Sequence, residues 1–503
     1  MWLLTVLGCF GFLIGEEFEA WDSGGWRDRI RPPIAEARLE PWQPCDVTPV
    51  SGDGGAQCTR AKLPLDHNDP NGRSIIAALK RIAPPGTSTG QLWVVTGGPG
   101  ASAIDDLGAL PITALALEQG LTVYAVDHRG VGGTSRLNCG ESEPQNEAAW
   151  ADCAATIQDE WGAALAYMTI SQSARDLAAL TNTLANEKPL WLYGVSYGTM
   201  LLDRYVDYLP ERAVQIILEA PTSLADRPLN DVDLGTDFIA RQVLALCDAD
   251  QDCADRFADE PEVVADAALS SLDTGRCAAL DMTTAEAGQL LGQMLRRAET
   301  RDLIPAAVFR LDRCTAQDIA RLQHLNAQVP RVLGQLPITE GNTGQGASVA
   351  AFHHFAHAEL WEPKPETSPP ISMGINAQLA QSASAWPGYP LEREDWLFEY
   401  HEWPDSPTLL LTGALDPLGG VIYAWDHDNV MHIEMSTGAH QLIGGTPFAS
   451  GSRDCARELV SEFLRTGALP NASECASNLD PLNFAGDPTV SERYFGTPDA
   501  WDD

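Results

Sequence analysis

The apolar positions of this chain follow two periods in alternation. Residues 91–95, 121–126, 189–193, 214–218, 408–412 and 430–435 are short apolar runs with turn-forming residues beside them. Runs of that length read as strands buried on both faces. Residues 58–84 instead alternate apolar and polar positions around Asp66-His67-Asn68-Asp69-Pro70-Asn71-Gly72, the pattern of a hairpin with a polar turn. Residues 170–186 and 199–209 carry apolar residues at helical spacing, the second directly after a strand. Strands alternating with helices predict an α/β fold with a mostly parallel, doubly wound sheet.

Residues 222–390 are different. They are rich in Ala, Leu, Asp and Gln, with helical periodicity and no clear strand. They read as a helical cap inserted between sheet strands, its Pro-rich stretch 363–370 a surface connection. The expected organisation is a leader over 1–20, the first part of the core over 21–221, the cap over 222–390 and the second part of the core over 391–480. Residues 16–44, acidic with scattered Pro and Trp, are expected to wrap the surface. The Pro/Asp/Gly-rich residues 481–503 are expected to form an extended tail. There are no internal repeats.

Composition narrows the partners. The 503 residues include 32 basic and 70 acidic side chains, a net charge of −38. Such a surface repels nucleic acid and anionic membranes, so neither is an expected partner. An acidic field suits a cationic substrate such as a free peptide N-terminus, although solubility alone accounts for most of the charge. Residues 1–15 (MWLLTVLGCFGFLIG) are almost wholly apolar. They are short for a membrane span and resemble the core of an export signal, without the usual basic residues ahead of it. Val6-Leu7-Gly8-Cys9 also resembles a lipobox, which would make Cys9 a lipid attachment point and the chain's one route to a membrane. The remaining ten cysteines fall into sequence neighbours: Cys45 and Cys58, Cys139 and Cys153, Cys247 and Cys253, Cys277 and Cys314, Cys455 and Cys475. Sequence leaves their connectivity open. Five bridges at about 2–4 kcal/mol each suit a periplasmic or secreted protein. A metal site is the rival reading and lacks any Cys-x-x-Cys pair; buried free thiols are the other.

The chemistry centres on Gly194-Val195-Ser196-Tyr197-Gly198, between the 189–193 strand and the 199–209 helix. A Gly-x-Ser-x-Gly segment in that context is the nucleophile elbow of an α/β-hydrolase. A serine hydroxyl needs a base, and the base needs an orienting carboxylate. In this fold they follow in the order Ser, acid, His. Asp416, after the 408–412 strand, is the candidate acid, and His440, after the 430–435 strand, the candidate base. The developing oxyanion needs backbone N–H donors. Tyr197, next to the nucleophile, supplies one, and Gly98, in the turn after the 91–95 strand, the other. His353, His354 and His357 lie together near Glu359, but their spacing matches no zinc motif. Asp426, His427 and Asp428 read as a solvated turn. No metal or organic cofactor is expected.

Gly97-Gly98-Pro99-Gly100, Asp127-x-Arg129-Gly130-x-Gly132 and Gly194-x-Ser196-Tyr197-Gly198-Thr199 together resemble the proline iminopeptidase and tripeptidyl aminopeptidase family of serine hydrolases. The entry hairpin, Leu63-Pro64-Leu65-Asp66 with Asn68-x-Pro70, is similar too. Cys455, Phe463-Leu464, Gly467, Pro470 and Cys475 resemble the C-terminal region of the tripeptidyl branch. The resemblance covers residues 45–225 and 400–480 and leaves the cap poorly covered. Thr96 stands where proline iminopeptidases have His, which points to the tripeptidyl branch. Ala439 replaces a glycine-like residue beside the base. Glu219-Ala220 replaces the branch's Asp-Gly. The resemblance implies a triad of Ser196, Asp416 and His440, and a carboxylate for the substrate's ammonium. Glu219 and Glu359 are the candidates. It implies an exported enzyme that releases amino acids or short peptides from free N-termini. An esterase with the same triad is the alternative, and an idle binding module the remote one. Oligomeric state is left open. A histidine base would lose activity as it protonates, near the ~6.5 of a free imidazole.

Overall fold

The apolar runs become neighbours in one ten-stranded sheet. Its strands are β1 (Arg38–Leu39), β2 (Gln43–Cys45), β3 (Ala56–Pro64), β4 (Ser74–Ile82), β5 (Gly90–Val95), β6 (Leu121–Val126), β7 (Leu190–Val195), β8 (Val214–Glu219), β9 (Thr408–Gly413) and β10 (Val430–Met435). The order is β1-β3-β4-β6-β5-β7-β8-β9-β10, with β2 also on β3. Pairing is antiparallel from β1 to β6 and parallel from β6 through β10. The computed structural model describes residues 34–45, 55–139, 144, 146–184, 188–208, 214–222, 227–329, 346–363, 369–384, 386, 403–419, 428–449, 451–471 and 474–501. The leader and Cys9 lie outside them.

The unbroken apolar runs follow from burial on both faces. Successive strand side chains point to opposite sides. Trp93, Val95, Leu192, Ile216 and Leu218 enter one core, against helices Glu147–Trp161, Ile170–Thr183 and Tyr197–Tyr205. Leu92, Val94, Trp191, Tyr193, Ile217 and Leu409 enter the other, against helices Pro111–Glu118 and Cys455–Thr466.

A buried ion cluster ties the entry hairpin to this frame. Arg129 donates Nε to Asp176 Oδ2 at 2.6 Å and Nη2 to Asp176 Oδ1 at 2.8 Å. It also donates to the carbonyls of Pro64, Leu65 and Tyr167. His67 Nε2 lies 2.8 Å from Asp176 Oδ1. Burial works against an ionised Asp176, but Arg129 and His67 outweigh it and hold the carboxyl below its usual range. The Asp-x-Arg-Gly motif is thus in part a clamp between the hairpin turn, the loop after β6 and helix Ile170–Thr183.

Between β8 and β9 every described element is helical. Val232–Ala249, Pro261–Leu272, Thr284–Met294, Ile304–Arg313 and Ala316–Gln328 enclose their own core around Val243, Leu269, Leu291 and Val308. Helices Val349–Phe355 and Ile375–Ala383 complete the insertion. Two expectations need correction. Part of the 16–44 segment pairs with β3 as β1 and β2 rather than wrapping the surface. The 481–503 tail is not simply extended: Pro488–Phe495 is a helix. Asp487 caps it at Thr489 N and Val490 N, Pro488 sits in its first turn, and Gly496 ends it with φ +70°. The Asp-Pro and Gly that suggested an extended tail are its start and stop signals. Phe484, Tyr494, Phe495 and Trp501 join the cap core, and Arg310 donates to Ala500 O.

Five disulfides join Cys45–Cys58, Cys139–Cys153, Cys247–Cys253, Cys277–Cys314 and Cys455–Cys475, with Cα separations from 4.7 to 5.7 Å. So many bridges suggest an exported, oxidised protein. No helix among the described residues is long and apolar enough to cross a membrane.

Replacing Asp176 by Ala leaves Arg129 buried without its counter-charge. The variant is expected to lose about 3–5 kcal/mol in urea unfolding with disulfides intact. A loss under about 1 kcal/mol would show that the carbonyls alone satisfy Arg129.

Candidate active site

β7, β9 and β10 are parallel, so their C-terminal ends lie along one edge, where Ser196, Asp416 and His440 follow them. Ser196 sits between β7 and helix Tyr197–Tyr205 with φ 55° and ψ −128°, a strained conformation that presents its side chain at the turn. The turn needs its glycine: a Cβ on Gly198 would stand 2.3 Å from Val95 O, at the end of β5.

His440 Nδ1 lies 3.0 Å from Asp416 Oδ1 and 2.9 Å from Oδ2. Nδ1–H therefore donates to the carboxylate, and Nε2 carries the lone pair that a base requires. Asp416 is 5 % exposed and His440 8 %. Leu418 N donates to Asp416 Oδ1 at 2.8 Å. The acid and base loops are joined directly, Leu415 N to Gly438 O at 2.9 Å. From the cap, Arg301 donates Nη1 to Thr437 O at 2.6 Å. Burial, helped by the charge of Arg297, brings the Arg296 guanidinium down to about 10, and the charge of Asp416 acts against that fall.

The loop after β5 lies against the nucleophile; a Cβ on Gly97 would be 2.8 Å from Ser196 Cβ. Gly98 has φ +118°, which only glycine adopts without strain, and a Cβ there would meet Gly100 N at 2.6 Å. Two supports of this loop were not read from the sequence. His128 Nε2 accepts from Gly100 N at 3.1 Å while Nδ1–H donates to Arg129 O at 2.9 Å. That tautomer is neutral, and burial brings the imidazole down to about 4. Gly100 O accepts from Ser348 N at 2.8 Å, so the cap helix Val349–Phe355 is seated on the oxyanion loop. Asp127 accepts from Ser102 Oγ, Ile104 N and Gly133 N. Burial nevertheless raises its carboxyl to about 7.

The two glutamates part company. Glu359, in the π-helical turn Ala356–Leu360, is 5 % exposed and accepts from Ile170 N at 3.1 Å. It lies near enough to Tyr197 for its charge to add to burial in driving the phenol well above its ordinary value. Tyr197 OH and Ser171 Oγ are buried without a hydrogen-bond partner among the described residues. Glu219 corrects the expectation of an ammonium ligand. Its Oε1 accepts from Leu442 N at 2.8 Å and Ile443 N at 2.9 Å, and its Oε2 from Tyr193 OH at 2.5 Å. Strand parity was the signal that could have shown this: Glu219 alternates with Ile217 and shares its face, opposite the core that holds Phe355 and Leu360.

The three cap histidines are engaged within the protein. His353 Nδ1 and His357 Nε2 lie 2.7 and 2.9 Å from Ser382 Oγ, and His354 Nε2 is 3.0 Å from Met168 O. Among the described residues no cluster of ligating side chains could hold a metal.

A family model described as the alpha/beta hydrolase fold matches residues 94–254, from β5 through the elbow and β8 into the cap. Over this stretch the chain has the α/β-hydrolase fold. It is 27% identical over 218 residues to the serine protease Hip1 of Mycobacterium tuberculosis, covering 39% of this chain and 42% of that relative. It is 27% identical over 188 residues to a tripeptidyl aminopeptidase of Streptomyces coelicolor, covering 33% and 35%. It is 30% identical over 129 residues to carboxylesterase B of Mycobacterium tuberculosis, covering 22% and 25%. The chain thus spans less than half the length of each of these relatives. The resemblance to the tripeptidyl aminopeptidase group stands over part of the chain, and the relatives it matches carry both peptidase and esterase names.

If Gly98 N is the second oxyanion donor, Gly98→Ala should displace it while leaving Ser196, Asp416 and His440 unchanged. A fall in kcat of about 100-fold or more is expected, with a lower melting temperature from the strain at residue 98 but a folded enzyme at the assay temperature by circular dichroism. Full activity would move the donor elsewhere.

Proposed function

We propose that this hydrolase is an exported aminopeptidase that removes amino acids or short peptides from free N-termini. Ser196 Oγ attacks the scissile carbonyl as His440 Nε2 takes its proton. Asp416 holds the imidazolium, and the N–H groups of Gly98 and Tyr197 meet the oxyanion. His440 then returns the proton to the leaving amine. Water repeats the sequence on the acyl-enzyme and frees the product.

One observation supports peptide N-termini as the substrate. The nucleophile's neighbour, Tyr197, has a buried hydroxyl without a partner among the described residues and within reach of the charge of Glu359, and Ser171 Oγ, likewise without a partner among them, lies at the start of the helix that Glu359 contacts. A carboxylate and two hydroxyls offer acceptors, which an ammonium satisfies and a neutral acyl chain does not. The disulfides and the leader support export, with Cys9 the residue that a lipid would modify.

An esterase is the second reading, favoured by the likeness to carboxylesterase B. Chromogenic amides with free and acetylated N-termini, run beside a p-nitrophenyl ester and a Ser196→Ala blank, separate the two. Cleavage of free but not acetylated amides is the expected result; ester turnover alone would overturn the aminopeptidase reading. Glu359→Gln should cut kcat/KM for free-amine substrates by about 10- to 100-fold, the weight of a charged hydrogen bond, and spare the ester. Equal losses on both would remove Glu359 from ammonium binding.

A further inference from the structure

Glu219 is a buried carboxylate that no step above uses. It touches everything that carries the triad. Its backbone O accepts from Ser196 N at 3.0 Å, at the elbow. Its side chain accepts from Leu442 N and Ile443 N, the second and third residues after His440. In the sheet it pairs with Val195 of β7 and Leu411 of β9, the strand that leads to Asp416. Tyr193, on β7, closes the site by donating to Oε2.

We propose that Glu219 is a positioning residue for hydrolysis, which locks the base loop to the nucleophile elbow and keeps a negative charge behind the imidazole of His440. The proposal rests on the Ser196, Asp416 and His440 assignment and is indifferent to whether the substrate is a peptide or an ester.

The chemistry explains why a carboxylate stands there. A buried carboxylate is costly, so a neutral residue would serve better if only a loop had to be tied down. Burial does push the Glu219 carboxyl up; its three donors and the nearby His440 act against that rise. The charge is used when His440 becomes imidazolium, in acylation and again in deacylation. At that moment a fixed anion lowers the cost of the cation, whereas in the resting site it meets a neutral ring. The benefit is confined to the transition state and should appear in kcat, not KM. The groups facing this pair come from every packed element: Tyr193 from β7, Asp416 after β9, and Arg296 and Arg301 from the cap, the first near Asp416 and the second on Thr437 O.

The test is Glu219→Gln in the oxidised full chain, with Tyr193→Phe beside it. Gln can still accept from both amides, so the loop keeps its anchor while the charge is removed. The readouts are p-nitrophenyl ester hydrolysis and the rate of fluorophosphonate labelling, each followed against pH. In Glu219→Gln, kcat should fall about tenfold or more at nearly constant KM. With the anion gone, the imidazolium is less stable and His440 stays a base to lower pH. The acid limb should therefore move down by about half a pH unit or more. Tyr193→Phe keeps the carboxyl and loses one of the donors that favour its ionised form, so its acid limb should move down less than that of Glu219→Gln. An unshifted limb in Glu219→Gln, or a loss confined to KM, overturns the role of Glu219. Wild-type labelling that persists in Ser196→Ala overturns the triad itself, and Glu219 with it.

Discussion

The close approach of two backbones at the serine turn governs the rest of the molecule. β7 must end against β5, and the following helix must start almost on Val95 O, where a Cβ at residue 198 would stand 2.3 Å away. That contact sets Ser196 in its strained conformation and presses the loop after β5 against it. The parallel order then determines what else can reach the serine. The chain leaving β5 emerges on one side of β7 and the chain leaving β8 on the other, with β9 and β10 beyond it, so the glycine loop reaches the serine from one side and Asp416 and His440 from the other. The antiparallel hairpin lies on the far side and is held there by Arg129 and Asp176. The site is thus a consequence of strand order, with the clamp keeping the opposite edge in register.

What could be read in advance was local or followed from chain order. Leu92 to Val95 reads as a strand because both faces are covered, which leaves no polar alternation to confuse it. Asp416 and His440 could be named because a fixed fold order leaves few positions for them. The tail helix was missed because Asp487-Pro488 and Gly496 mean turn or helix end equally well until the apolar Tyr494 and Phe495 have a surface to meet. Glu219 was assigned to the wrong task for a different reason. Its acidity is visible in the sequence, but its direction depends on its parity within β8 and on the position of the base loop. The approach of Glu359 to Tyr197 and to Ile170 N joins three distant segments, and no local pattern announces it.

The same fold uses buried charge in opposite ways. Asp176 is matched by a guanidinium and lowered. Asp127 has only neutral donors and is raised to about 7. Asp416 and Glu219 flank one imidazole, one at its Nδ1 and one behind the loop that carries it. Where a cation faces the carboxylate, the partner sets its direction; where only neutral donors face it, burial does.

The bond from Ser348 N to Gly100 O joins the cap to the strand-end loop that carries Gly98. A cap that swung away as a rigid door would take this bond with it and loosen a donor of the catalytic site. The seating of the cap and the shape of the Gly98 loop are therefore one quantity in this architecture, and a change in the first is felt by the second.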